Sequence, residues 1–243
     1  MLGGAGRCIV AAHRVLPLQS MIATPLPADP RDSTRPTVSL PLLAAVLAAA
    51  GLAAFSIDLP VARWWAGHRL PGELDRFVNL SEAVAHGLGA GTILLAAYLL
   101  DPGLRGRSGR RPLWAMLAGA FGGGLSVDLV KAAVDRVRPR AADLASLTTA
   151  AETFARPDGL GGSDLHSFPS GHSAVAAGLA AVLSWRYPAG RWLFAALATT
   201  ACLQRLASSA HYPSDVCFGA ALGLLVAWAA LRWLAPSGGP AVP

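Results

Sequence analysis

The sequence predicts an all-α, polytopic membrane protein in which six transmembrane helices form a bundle. Three observations carry that reading. Hydrophobic residues make up 53% of the 243-residue chain and charged residues only 14%, against about 25% charged in soluble domains. The mean hydropathy is +0.47. The apolar residues also fall into six runs separated by polar loops.

Each run can be justified in order. Residues 1–37 are rich in Pro and Arg, and their apolar patch at 8–12 is too short for a signal-peptide core. They are expected to form a disordered cytoplasmic tail, with Met21 an alternative start to Met1. The first run, 38–57, is uncharged and about long enough to cross a bilayer. The second covers 83–100 and the third 113–130. The fourth covers 171–185, the fifth 192–209 and the sixth 215–234. These last three reach spanning length only by including polar residues at one end. The expected membrane domain is therefore 38–234, followed by a short cytoplasmic tail at 235–243. Gly122-Gly123-Gly124 falls in the middle of the third run, where small residues let helices pack closely.

The loops set the orientation. Arg7, Arg14, Arg31 and Arg35 precede the first run. Arg105, Arg107, Arg110 and Arg111 lie between the second and third, and Arg186 and Arg191 between the fourth and fifth. The positive-inside rule makes these sides cytoplasmic. Both termini are then inside, and the loops around 131–172 and 205–215 share the outer face. The net charge of +6 does not point to nucleic acid, because the arginines sit in short loops and form no basic stripe. Cys8, Cys202 and Cys217 have no metal-ligand spacing and make no disulfide framework.

Three blocks carry the chemistry. The first is Lys131, the single lysine among twenty basic residues, followed after six residues by Arg138-Pro139. A helix continuing to about Val137 would put Lys131 and Arg138 on one face. Pro139 then releases Arg138 from the helix. Asp128 and Asp135 flank the lysine as candidate salt-bridge partners. The second block is Pro169-Ser170-Gly171-His172. Ser170 is placed to cap a helix, Gly171 lets the backbone approach a ligand, and free N–H groups at a helix start attract anions. Alone, this block reads as an ordinary capped helix.

The third block is Arg205, His211 and Asp215. An arginine near the end of an apolar run marks a functional site by default. One helical turn would let Asp215 accept the His211 Nδ1–H, leaving Nε2 free as a nucleophile; taken alone, the pair reads as a surface hydrogen bond and Arg205 as an arginine snorkelling to the interface. Of the other candidates, His166 and Asp164 read as loop residues and His86 as a buried, hydrogen-bonded histidine. Gly-x-Ser-x-Gly, His-Glu-x-x-His and Walker patterns are missing from the sequence.

Lys-x6-Arg-Pro, Pro-Ser-Gly-His and Arg-x5-His-x3-Asp, in this order between apolar runs, resemble the type 2 phosphatidic acid phosphatase family. Its superfamily also holds bacterial acid phosphatases and vanadium haloperoxidases. The motifs span 131–215 and the helix pattern extends the likeness to 38–234. The resemblance implies an integral membrane lipid phosphatase with no metal and no other cofactor. His211 would form a phosphohistidine and Asp215 would orient it. His172 would protonate the leaving oxygen. Lys131, Arg138, Arg205, Ser170 and the Gly171 N–H would hold the phosphoryl oxygens. The implied partners are a lipid phosphate substrate and the bilayer. One departure is visible: Gln204 stands where the family commonly has serine. The rival readings are a phosphotransferase that passes the group to an alcohol, and a catalytically silent transporter or scaffold. A haloperoxidase is disfavoured because those members are soluble.

Overall fold

The computed structural model describes residues 39–155, 159 and 161–235. Apart from Ala235, the tails expected at 1–37 and 235–243 lie outside the described residues. Among those residues the protein is helical and holds no strand beyond a single parallel bridge between Arg136 and His166. The helices are α1 (Leu40–Ala54), α2 (Asp58–Gly67), α3 (Gly72–Leu80), α4 (Glu82–Ala85), α5 (Gly87–Leu100), α6 (Gly106–Lys131), α7 (Gly171–Arg186), α8 (Arg191–Ala207) and α9 (Pro213–Leu234).

The helices α6, α7 and α9 pack closely on one another at the centre. Small residues allow this, since a Cβ added at Gly123 would lie 3.0 Å from the Gly223 backbone of α9. The glycine run at 122–124 therefore does pack helices. Met116, Ala120, Leu179, Val182, Ala227 and Leu231 are buried between these three helices. The outside stays apolar: Leu100, Trp192, Trp233 and Leu129 are among the exposed large side chains. A surface of this kind suits insertion into a bilayer.

The six spans of the sequence reading are reached only in part. Two helices, α6 and α9, are long and apolar enough to cross a membrane, and up to four spans result if each bent pair counts as one. The pair α1 and α2 bends by 78°, and the pair α3–α4 and α5 bends by 72°. Helices α7 and α8 have 16 and 17 residues, about 24 Å of helix at 1.5 Å per residue against a hydrocarbon core of about 30 Å. Their ends are taken by motif residues, so the chain turns early.

A second departure concerns α6. The helix was expected to run to about Val137 but ends at Lys131. Residues 136–138 instead bond to neighbouring loops: Arg136 N to Leu165 O, Val137 N to Thr153 O and Arg138 N to Asp164 O, at 2.6, 2.8 and 2.8 Å. Lys131 and Arg138 therefore do not share a helix face. They meet because the chain folds back.

Candidate active site

The motif residues gather where α6, α8 and α1 end and α7 and α9 begin. The innermost layer is an ion-pair network around Arg136. Its guanidinium lies 2.6 Å from Asp58 of α2 and 2.5 Å from Asp215 of α9. It also donates to Thr153 and Ser214, at 2.9 and 2.8 Å. The rings of Phe55, Phe154 and Tyr212 surround it at 5.3, 4.7 and 4.2 Å. All three charged side chains are fully buried. Such a cluster persists only when the hydrogen-bonding capacity of each charge is met. Asp215 also accepts from Ser167 Oγ at 2.6 Å and from Tyr212 N at 2.8 Å. It lies in the first turn of α9, where the helix dipole favours a carboxylate.

His211 stands on this layer, in the turn between α8 and α9, and is 3% exposed. Its Nδ1 lies 2.7 Å from the Ser167 carbonyl and 3.6 Å from Asp215 Oδ2. The expected acceptor was the carboxylate, but the carbonyl is the nearer one, because Ser167 Oγ and Tyr212 N already occupy that carboxylate oxygen. The neighbours assign the proton to Nδ1, which has the Ser167 carbonyl as its acceptor. Nε2 lies 3.4 Å from Arg138 Nη1, a group that can only donate, so Nε2 carries the lone pair. Burial pushes the His211 pKa down to about 4; Asp215 opposes this, while Arg138 and Lys131 reinforce it. At neutral pH the ring is an uncharged base.

The cations approach from three elements. Lys131 closes α6, and its Nζ reaches the first turn of α7, 3.8 Å from where a Gly171 Cβ would stand. Arg138 is fixed by the carbonyls of Ser163, Ala210 and His166, at 2.8, 3.2 and 3.3 Å. Arg205, in the last turn of α8, pairs with Glu82 of α4 at 2.8 Å. Asp128 and Asp215 are among the acidic groups within Coulombic reach of Lys131.

Ser170 is fully buried and caps α7 as expected, accepting from Ser173 N at 3.3 Å. His172 follows in the first turn, within Coulombic reach of Arg205 and His211. Its Nε2 is buried without a hydrogen-bond partner. Every residue of the three sequence blocks is thus brought to one place.

Other expectations change. His86 is exposed, not buried; it caps α5, and its ring lies 5.9 Å from that of His172. Asp164 pairs with Arg140 at 2.8 Å. Gln204 is buried, and its amide nitrogen donates to Asn79 and Glu82, at 3.4 and 3.2 Å, while its oxygen accepts from Arg205.

Four residues escaped the sequence reading: Asp58, Glu82, Arg136 and Ser167. Two had a signal, since Asp58 and Glu82 are carboxylates at the edges of apolar runs. Arg136 lies inside the first block but resembled one more loop arginine. Among the described residues, no group of three or more His, Cys, Asp or Glu is arranged to hold a metal ion.

The family model described as the PAP2 superfamily matches residues 112–238, just over half of the chain. No curated protein and no solved structure matches it.

Proposed function

The chain belongs to the PAP2 superfamily, and on that premise we propose that it is an integral membrane lipid phosphatase. It hydrolyses a phosphate or diphosphate monoester of a lipid: a polyprenyl diphosphate, phosphatidic acid, phosphatidylglycerol phosphate or a lipid A phosphate. The observation that carries the reading is the state of His211. Its Nδ1 is held by the Ser167 carbonyl, and its lone pair faces Arg138.

In the first step His211 Nε2 attacks phosphorus. The N–P bond forms as the bond to the lipid oxygen breaks, and His172, protonated once the anionic substrate is bound, gives its proton to that oxygen. In the second step His172 takes a proton from water, the resulting hydroxide attacks phosphorus, and His211 is released. Lys131, Arg138 and Arg205, with Ser170 and the Gly171 N–H, stabilise the charge on the phosphoryl oxygens. Asp215 balances the charge that develops on His211. Fixed cations do the work a metal ion would do elsewhere, so turnover should survive chelators.

The catalytic end is proposed to face outward, with the termini cytoplasmic. The loops at the opposite helix ends support this: they carry Arg105, Arg107, Arg110, Arg111, Arg186 and Arg191 against Asp101, whereas Arg63, Arg69 and Arg76 on the catalytic side are offset by Asp58, Glu73 and Asp75. The test is a panel of these lipid phosphates given to purified protein with EDTA present. Phosphate release, together with an acid-labile phosphoprotein lost in His211→Asn, is the expected result. No release from any of them, or release only with an added divalent ion, would overturn the reading. Transfer to an added alcohol in preference to water would make the protein a phosphotransferase.

A further inference from the structure

One cation of the site already holds an anion from the protein itself. Glu82, the first residue of α4, sets Oε1 2.8 Å from Arg205 Nη2. The same oxygen stands 3.8 Å from His172 Nε2. Its other oxygen accepts from Gln204 Nε2 at 3.2 Å, and that amide also reaches Asn79 at 3.4 Å. A carboxylate therefore stands between a proposed phosphate-binding arginine and the proposed leaving-group acid. To a guanidinium, a carboxylate and a phosphoryl group offer the same thing, a pair of anionic oxygens. The two partners differ in burial: the Arg205 side chain is 7% exposed and that of Glu82 43%. The arginine is fixed. The glutamate enters from the open side and can leave by rotating its own torsions.

Resting on the phosphatase reading, we propose that Glu82 is a specificity-determining residue. It is an internal anion that an incoming phosphoryl group must displace from Arg205. The exchange subtracts one contact from every phosphoryl ligand, so a monoanionic phosphodiester is left with almost no net binding, while a dianionic monoester or a diphosphate still binds through its further charge. Binding at Arg205 is then a difference between two contacts. A phosphodiester replaces one negative charge by another and gains almost nothing there. A dianion does the same and brings a further charge to Lys131 and Arg138. A membrane enzyme needs such discrimination, because bulk phospholipid headgroups are phosphodiesters and three bare cations would collect them. A penalty on the wrong ligand is a general route to specificity. Gln204, standing where serine is common in the resemblance, is the residue that steadies the glutamate.

A merely structural Glu82 would tie α4 to α8, and its loss would weaken ligand binding or leave it unchanged. The proposal predicts the opposite sign. Binding of inorganic phosphate and of short-chain phosphatidylglycerol, a phosphodiester, is measured by calorimetry on the purified full chain in detergent. Wild type, Glu82→Gln and Glu82→Ala are compared. Both variants should bind the diester about tenfold more tightly, about 1.4 kcal/mol, with a similar gain for phosphate, since both ligands displace the same carboxylate. The gain should vanish in Glu82→Gln with Arg205→Gln. An unchanged or weakened diester constant in the variants overturns the proposal. Hydrolysis is scored separately: a wild type that shows the binding pattern but cleaves no monoester overturns the phosphatase reading and upholds the gate.

Discussion

Arg136 and Arg205 are both arginines facing carboxylates at the same end of the bundle, and they differ in what surrounds them. Arg136, Asp58 and Asp215 are fully buried, and aromatic rings cover the guanidinium. Its donors are spent on protein oxygens, so no ligand can enter without breaking the fold. Arg205 is buried too, but its partner Glu82 is nearly half exposed. Desolvating a charge is repaid in the first case by fixed neighbours and in the second by a partner that can be exchanged. The first cluster is scaffold, with Asp215 linking it to His211, and the second is site. Substitutions on the scaffold should therefore cost stability, and those in the site should cost rate.

The largest effect sharpens the contrast from the site side. His211→Asn keeps a donor for the Ser167 carbonyl and removes the nucleophile. Turnover should fall about 10⁴-fold or more, with little change in Tm, read by phosphate release and thermal melting. The wild-type pH profile adds a check. His211 attacks only when neutral, and burial lowers its pKa from 6.5 to about 4. The neutral form therefore survives as pH falls through 6.5, and the acid limb of enzyme phosphorylation should lie near pH 4. A limb at 6.5 would mean that the ring is solvated.

Next comes the scaffold. Arg136→Met leaves Asp58 and Asp215 buried without their cation, which should cost about 3–5 kcal/mol and show as a large fall in Tm. A variant that melts like wild type would break the comparison. Lys131→Arg tests the site again, replacing a compact ammonium by a planar fork. A rate loss on the order of 10²–10³ is expected, with unchanged Tm; a Tm loss as large as that of Arg136→Met would erase the distinction. The smallest effect belongs to a pair in neither cluster. Arg140 and Asp164 are 47% and 38% exposed, so Asp164→Asn should change stability by about 0.5 kcal/mol or less. A larger loss would mean that this loop is part of the scaffold.

The sequence by itself determined the helical class, the apolar runs and the three blocks that meet in the site. Those properties are local: periodicity, caps and residue types at fixed spacing are written along the chain. Ser170 capping α7 and the glycine run packing α6 against α9 were legible for that reason. Helix ends were less so. Lys131 ends α6 because residues 136–138 bond to loops far away in sequence, and nothing between 131 and 138 announces it. Partner choice was least legible. His211 turns to the Ser167 carbonyl because Asp215 is saturated, and Asp215 is saturated because Arg136, Ser167 and Tyr212 converge on it. Glu82 meets Arg205 across 122 intervening residues. Which oxygen takes which proton depends on what else competes for it, and only the folded chain brings the competitors together.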